Sequence, residues 1–138
     1  MVRKRLKPRQ DEVGSRINVH SAPGGSVFSM HPKFSLENLT KSHCLSKCTR
    51  DEKAAFADKL HELSQLTWQV IGHSGRHGQG SETIARTAIK APIPDCITGE
   101  VKLLAFRCIG MAPMVGYRDA ETFYIVWIDR AFTLYAHH

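Results

Sequence analysis

The stretch TFYIVWID, residues 122–129, decides the fold. Alternate residues of a strand point to opposite sides of its sheet, so Phe123, Ile125 and Trp127 share one face. Tyr124, Val126 and Ile128 share the other. Both faces are apolar, and a strand of that kind sits centrally in a sheet covered on both sides.

Working outward, MVGYR (114–118) follows Pro113 and ends in the polar turn DAET. Before it, VKLLAFRCI (101–109) alternates, with Leu104, Phe106 and Cys108 on one face and Leu103, Arg107 and Ile109 on the other. Short turns join the three runs into an antiparallel meander. Upstream the periodicity is helical. Thr49 and Glu52 form a capping box, and Phe56, Leu60, Leu63 and Leu66 follow at spacings that build one apolar stripe. A short turn, TWQVI (67–71), stops at Gly72, and SETIARTAIK (81–90) reads as a further helix capped by Ser81. GHSGRHGQGS (72–81) holds four glycines and is a loop. VFSMHPKFSL (27–36) reads as a short or edge strand because it contains Pro32. The expected fold is α+β, with N-terminal helices packed on one face of a curved antiparallel β-sheet formed mainly by the C-terminal half.

Residues 1–26 read as a flexible basic arm and 27–138 as a single domain. The net charge is +6, and five of those charges come from Arg3, Lys4, Arg5, Lys7 and Arg9 in the first ten residues. The rest of the chain is nearly neutral. The basic signal is therefore a tail, fit for salt-sensitive, sequence-independent contact with RNA or DNA, or for plain solubility. No apolar run approaches the ~20 residues of a membrane span. No secretory signal follows the basic start, and four irregularly spaced cysteines suit reduced thiols. A cytoplasmic protein with no membrane contact is expected. HCLSKC (43–48) is a weak zinc signal, since its C-x3-C has no second pair. No metal or other cofactor is expected.

LAFRCIG, then MVGYRDAETFYIVWID, then LY and a closing histidine resemble the RelE/ParE superfamily of bacterial toxins. The likeness covers residues 99–138 well, LSQLTW and the glycine loop loosely, and the first 45 residues not at all. The resemblance implies the toxin of a type II toxin–antitoxin system, silenced by a cognate antitoxin protein. RelE-like members cut mRNA, usually on the ribosome and without a metal. ParE-like members block DNA gyrase and are not nucleases. An endoribonuclease is the first expectation and a gyrase inhibitor the alternative.

Metal-free RNA cleavage needs a base for the ribose 2′-OH, cations for the charge gathering on phosphorus, and an acid for the leaving 5′-oxygen. Arg107 and Arg118 lie among apolar strand neighbours, where a guanidinium needs a cleft or a carboxylate. They are the candidate charge stabilisers, with a salt bridge from Arg118 to Asp119 or Asp129 as the other reading. His137 is the candidate base or acid, and Tyr135 a positioning or acid group. Tyr117 and Tyr124 read as stacking aromatics or core, and Trp68 and Trp127 as core. Arg3, Lys4 and Arg5 of the arm, with His73, Arg76 and His77 of the glycine loop, are the candidate RNA-backbone contacts. Asp129 orients a histidine or closes a turn.

Overall fold

A computed structural model describes residues 24–74 and 80–137 of the 138-residue chain. Among the described residues five strands form one sheet: β1 (Lys33–Ser35), β2 (Glu82–Ile84), β3 (Leu103–Ile109), β4 (Ala112–Asp119) and β5 (Thr122–Ile128). Their order across the sheet is β1-β5-β4-β3-β2. The meander β3-β4-β5 is antiparallel as expected, whereas β1 lies parallel to β5, so the sheet is mixed. Two described α-helices precede β2: α1 (Arg50–Ser64) and α2 (Trp68–Gly72). The class is α+β, with most strands in the C-terminal half. A 3-10 turn at Gly24–Ser29 spans the expected end of the arm, and residues 1–23 lie outside the described region.

Both helices start as the sequence dictates. The Thr49 hydroxyl accepts the Glu52 amide at 3.1 Å, and the Glu52 carboxylate accepts the Thr49 amide at 2.8 Å. Thr49→Ala should lower unfolding stability by about 1 kcal/mol in a denaturant titration, the usual cost of an N-cap. Glu52 also takes a two-pronged bond from Arg130, at 2.7 and 3.2 Å, tying the start of α1 to the chain just after β5. The Arg130 guanidinium, helped by the Thr49 amide, holds the Glu52 carboxyl below the ordinary carboxylate range. A depressed folded-state value means that this contribution is intact above the unfolded-state value and is lost as pH falls through the folded one. Thermal melts should therefore show an acid limb below about pH 4, shallower in Glu52→Gln.

The sheet is covered on both faces. On the first, Phe56 and Leu63 of α1 and Trp68 and Ile71 of α2 pack on Phe106, Cys108, Met114, Phe123, Ile125 and Ile128. On the second, Leu103, Ala105, Val115, Val126 and Trp127 are covered by irregular chain, including Ile97, Leu134 and Tyr135. Two bonds from Arg86 to the carbonyls of Ile97 and Thr98 fold that covering loop on itself.

Two expectations fail here. SETIARTAIK is not a helix: β2 occupies Glu82–Ile84 and a 3-10 turn follows at Arg86–Ala88. Pairing with β3 outweighs a lone serine cap, and the adjacent β-branched residues Thr83 and Ile84 favour an extended chain. The strict alternation of β5 is also broken. Val115 pairs with Trp127 and Gly116 with Ile125, leaving Val126 as an extra residue. This β-bulge reverses the facing of everything after it. Trp127 joins the loop-covered face and Ile128 the helix face, the opposite of simple alternation. A smaller shift between Arg107 and Ile109 likewise moves Ile109 to the helix side. The Val126 carbonyl is satisfied from outside the ladder by the Thr40 amide at 2.9 Å.

Candidate functional site

The turn after β5 is organised by one carboxylate. Asp129 is fully buried, and a buried charge persists only where its oxygens are bonded. Its Oδ1 accepts the Thr133 amide at 2.8 Å and its Oδ2 the Leu134 amide at 3.0 Å. The same Oδ2 lies 3.1 Å from Nε2 of His137. Its own amide donates to the Pro113 carbonyl at 2.9 Å, fixing the turn to β4. The chain thus folds back over the sheet, and the Lys90 amide, 2.7 Å from the Leu134 carbonyl, holds it there.

This turn and the end of β3 enclose a cleft of about 130 Å³. Arg107, Tyr135 and His137 all line it, together with Glu82, Met111 and Phe132. The His137 side chain is a quarter exposed, held on one side and open on the other. Its ring lies 4.1 Å from that of Tyr135 and meets Phe132 edge-on at 4.9 Å. Phe132 has φ of +58°, unusual for an aromatic residue, and such strain tends to persist at sites that surrounding structure enforces. Because a buried carboxylate only accepts, Nε2 of a neutral His137 carries the proton. Nδ1 is left with the lone pair of a base.

His43 approaches Asp129 from the opposite side, with Nε2 at 4.0 Å from Oδ1, and also contacts Thr133 Oγ1 at 3.3 Å. The zinc reading of HCLSKC therefore loses its histidine to this network. Among the described residues no three His, Cys, Asp or Glu side chains are grouped to hold a metal ion. Burial pushes the Cys108 thiol up to about 12 and raises that of Cys48, as expected of packing residues.

Arg118 is not in the cleft. It sits on the helix side of β4, its guanidinium 4.9 Å from the Trp68 ring centroid and 5.9 Å from that of Phe28. The reason is register. The tight turn at Gly110 and Met111 pairs Ile109 with Ala112, and the shift between Ile109 and Arg107 sets Arg107 opposite Pro113. Arg118 comes five residues after Pro113, an odd count that turns it to the other face. Asp129, its alternative ion-pair partner, is committed to its own turn and to His137.

No protein-family model matches this chain, and neither the curated proteins nor the solved structures contain a match to it. What the cleft does is carried by its own side chains.

The remaining sequence candidates are scattered. Tyr117 stacks on Tyr124 at 5.0 Å and its hydroxyl accepts from Asn38 at 2.8 Å, at the far end of the loop-covered face. His73 is exposed just after α2. Arg3, Lys4, Arg5, Arg76 and His77 lie outside the described residues. Glu82 is the cleft residue that sequence reasoning missed, because its segment read as a helix. No described helix is long and apolar enough to cross a membrane.

Proposed function

We propose that the cleft cleaves single-stranded RNA, and that the protein acts as an mRNA-cutting toxin of the RelE/ParE kind, held in check by a cognate antitoxin. One observation carries this reading: Arg107, Tyr135 and His137, drawn from two separate parts of the chain, line a single cleft with His137 anchored by a buried carboxylate. The cleft supplies each group that the reaction needs. Nδ1 of His137 takes the proton of the 2′-OH, whose oxygen attacks the adjacent phosphorus. Arg107 neutralises the charge that builds on the non-bridging oxygens. The P–O5′ bond breaks and the Tyr135 hydroxyl protonates the departing oxygen. The products are a 2′,3′-cyclic phosphate and a 5′-hydroxyl end.

The 2′-OH requirement gives the direct test. Purified protein should cut a single-stranded RNA in the presence of a chelator. It should leave the same strand intact when the riboses are 2′-deoxy, and the upstream product should end in a cyclic phosphate. Cleavage of the deoxy strand, or a 3′-hydroxyl product, would exclude this chemistry.

The non-catalytic alternative, obstruction of gyrase through an open sheet surface, has less to rest on. Both sheet faces are already covered, one by helices and one by the loop and tail. Growth arrest with stalled replication and intact transcripts would favour it nonetheless.

A further inference from the structure

Arg118 lines a second pocket, of about 690 Å³, on the helix side of the sheet. Phe28, Trp68, Leu104, Thr83 and Lys102 also line it. We infer that this pocket holds a nucleobase of the same RNA strand that the Arg107 cleft is proposed to cut, stacked on the Arg118 guanidinium. The inference rests on the nuclease reading for the strand's identity.

Three features support it. First, Arg118 is exposed on its strand yet positioned by an aromatic ring below it, and Phe28, 51% exposed, adds a second flat surface. Single-stranded RNA is held by this kind of platform, bases lying on aromatic rings or guanidinium planes. Second, the pocket has cationic groups for the backbone of the same nucleotide. Among the described residues Arg118 and Lys102 share the pocket lining with one carboxylate, Glu100, which already accepts from the Thr98 hydroxyl at 2.6 Å.

Third, the two pockets stand back to back across the β2–β3 pair. Ser81, Thr83 and Leu104 line this pocket, whereas Glu82 and Ala105, their neighbours in the chain, line the Arg107 cleft. The pleat of the strands produces that alternation. Among the described residues β2 is the last strand of the sheet, and none of them adds a strand between the pockets along its outer rim. A strand passing round that rim crosses one sheet thickness, on the order of 10 Å, a span of only a few nucleotides. Arg118 would then contribute to binding and register rather than to the chemical step.

The test uses the full chain labelled with 5-fluorotryptophan. Of the two tryptophans, Trp68 lies in the pocket, while Trp127 is fully buried on the other face and serves as an internal reference. The probe is a single-stranded RNA heptamer with 2′-O-methyl riboses, which binds but cannot be cut. The expected result is a saturable shift of the Trp68 fluorine resonance with Trp127 unmoved. Arg118→Ala should weaken heptamer binding about tenfold, within the range that stacking supplies. On cleavable RNA it should raise KM by a similar factor and leave kcat within about threefold. Arg118→Lys should restore little of the binding, because an ammonium has no plane to stack on.

A heptamer that binds without moving Trp68 would overturn the inference, as would unchanged affinity in Arg118→Ala. So would a Trp68 response to an acidic, phenylalanine-containing peptide but not to RNA, which would make the pocket a protein-docking site. Any of these outcomes leaves the nuclease reading standing if unmodified RNA is still cut. Failure to cut RNA at all would remove that reading separately.

Discussion

His137→Ala should lower the single-turnover rate of RNA cleavage by about 10²- to 10⁴-fold, the range that one positioned acid–base group provides. The loss should fall on the rate at saturation. His137 reaches the cleft with its ring already oriented by Asp129, and the side chain is partly open to solvent. Its removal leaves Asp129 with two backbone amides, so the fold should persist in a thermal melt. Arg107→Ala should cost about 10²- to 10³-fold, comparable with deletion of one donor to a developing oxyanion. Arg107→Lys should recover only part of this, since a point charge replaces a fork matched to two phosphate oxygens. Arg118→Ala is the internal contrast, because its guanidinium lies on the other side of the sheet. Equal rates for wild type and His137→Ala would end the nuclease assignment. Loss of chemistry in Arg118→Ala would mean that the reacting phosphate lies elsewhere.

The second large effect concerns folding. Gly116 is buried in β4 opposite the bulge of β5, and a Cβ placed there would collide with the carbonyl oxygen of Tyr124. That atom belongs to the backbone of a central strand, so it cannot swing aside as a side-chain tip can. Gly116→Ala should therefore cost about 3 kcal/mol, the upper end of what overpacking usually costs. For a domain of this size the melting temperature should fall on the order of 10 °C, readable by calorimetry or circular dichroism. A melting point within about 2 °C of wild type would show that β5 can shift its register to make room.

Much of this architecture was legible in the sequence, for identifiable reasons. The capping box at Thr49 and the stripe from Phe56 to Leu66 specify α1 by purely local chemistry, and α1 forms there. The three apolar runs after residue 100 specify the meander because side-chain period and turn residues agree. β2 was missed because three residues carry too little pattern to show that a distant strand will pair with them. The bulge was invisible for a related reason: Val126 fits either face, and only the demand of Gly116 on the facing strand marks the slip. In the site, Tyr135 and His137 were legible by chemical type and Arg107 by its apolar setting. The separation of Arg118 from Arg107 was hidden, because counting from the short turn at Gly110 sets Arg107 opposite Met114 and both arginines on one face. Only the register shift between Arg107 and Ile109 parts them. Glu82 fell with the misread helix.

The extra residue at Val126 has one more consequence. Continued without interruption, the phase of Phe123 and Ile125 would have carried Asp129 to the helix side. The bulge instead sends Trp127, and with it the Asp129 turn, toward the loop-covered side. The bulge thus marks a phase break, with Phe123 and Ile125 on the helix side before it and Trp127 on the loop-covered side after it. Deleting Val126 should remove the extra residue and one buried side chain of the loop-covered core, leaving Trp127, Ile128 and Asp129 on their present faces in plain alternation with Ile125.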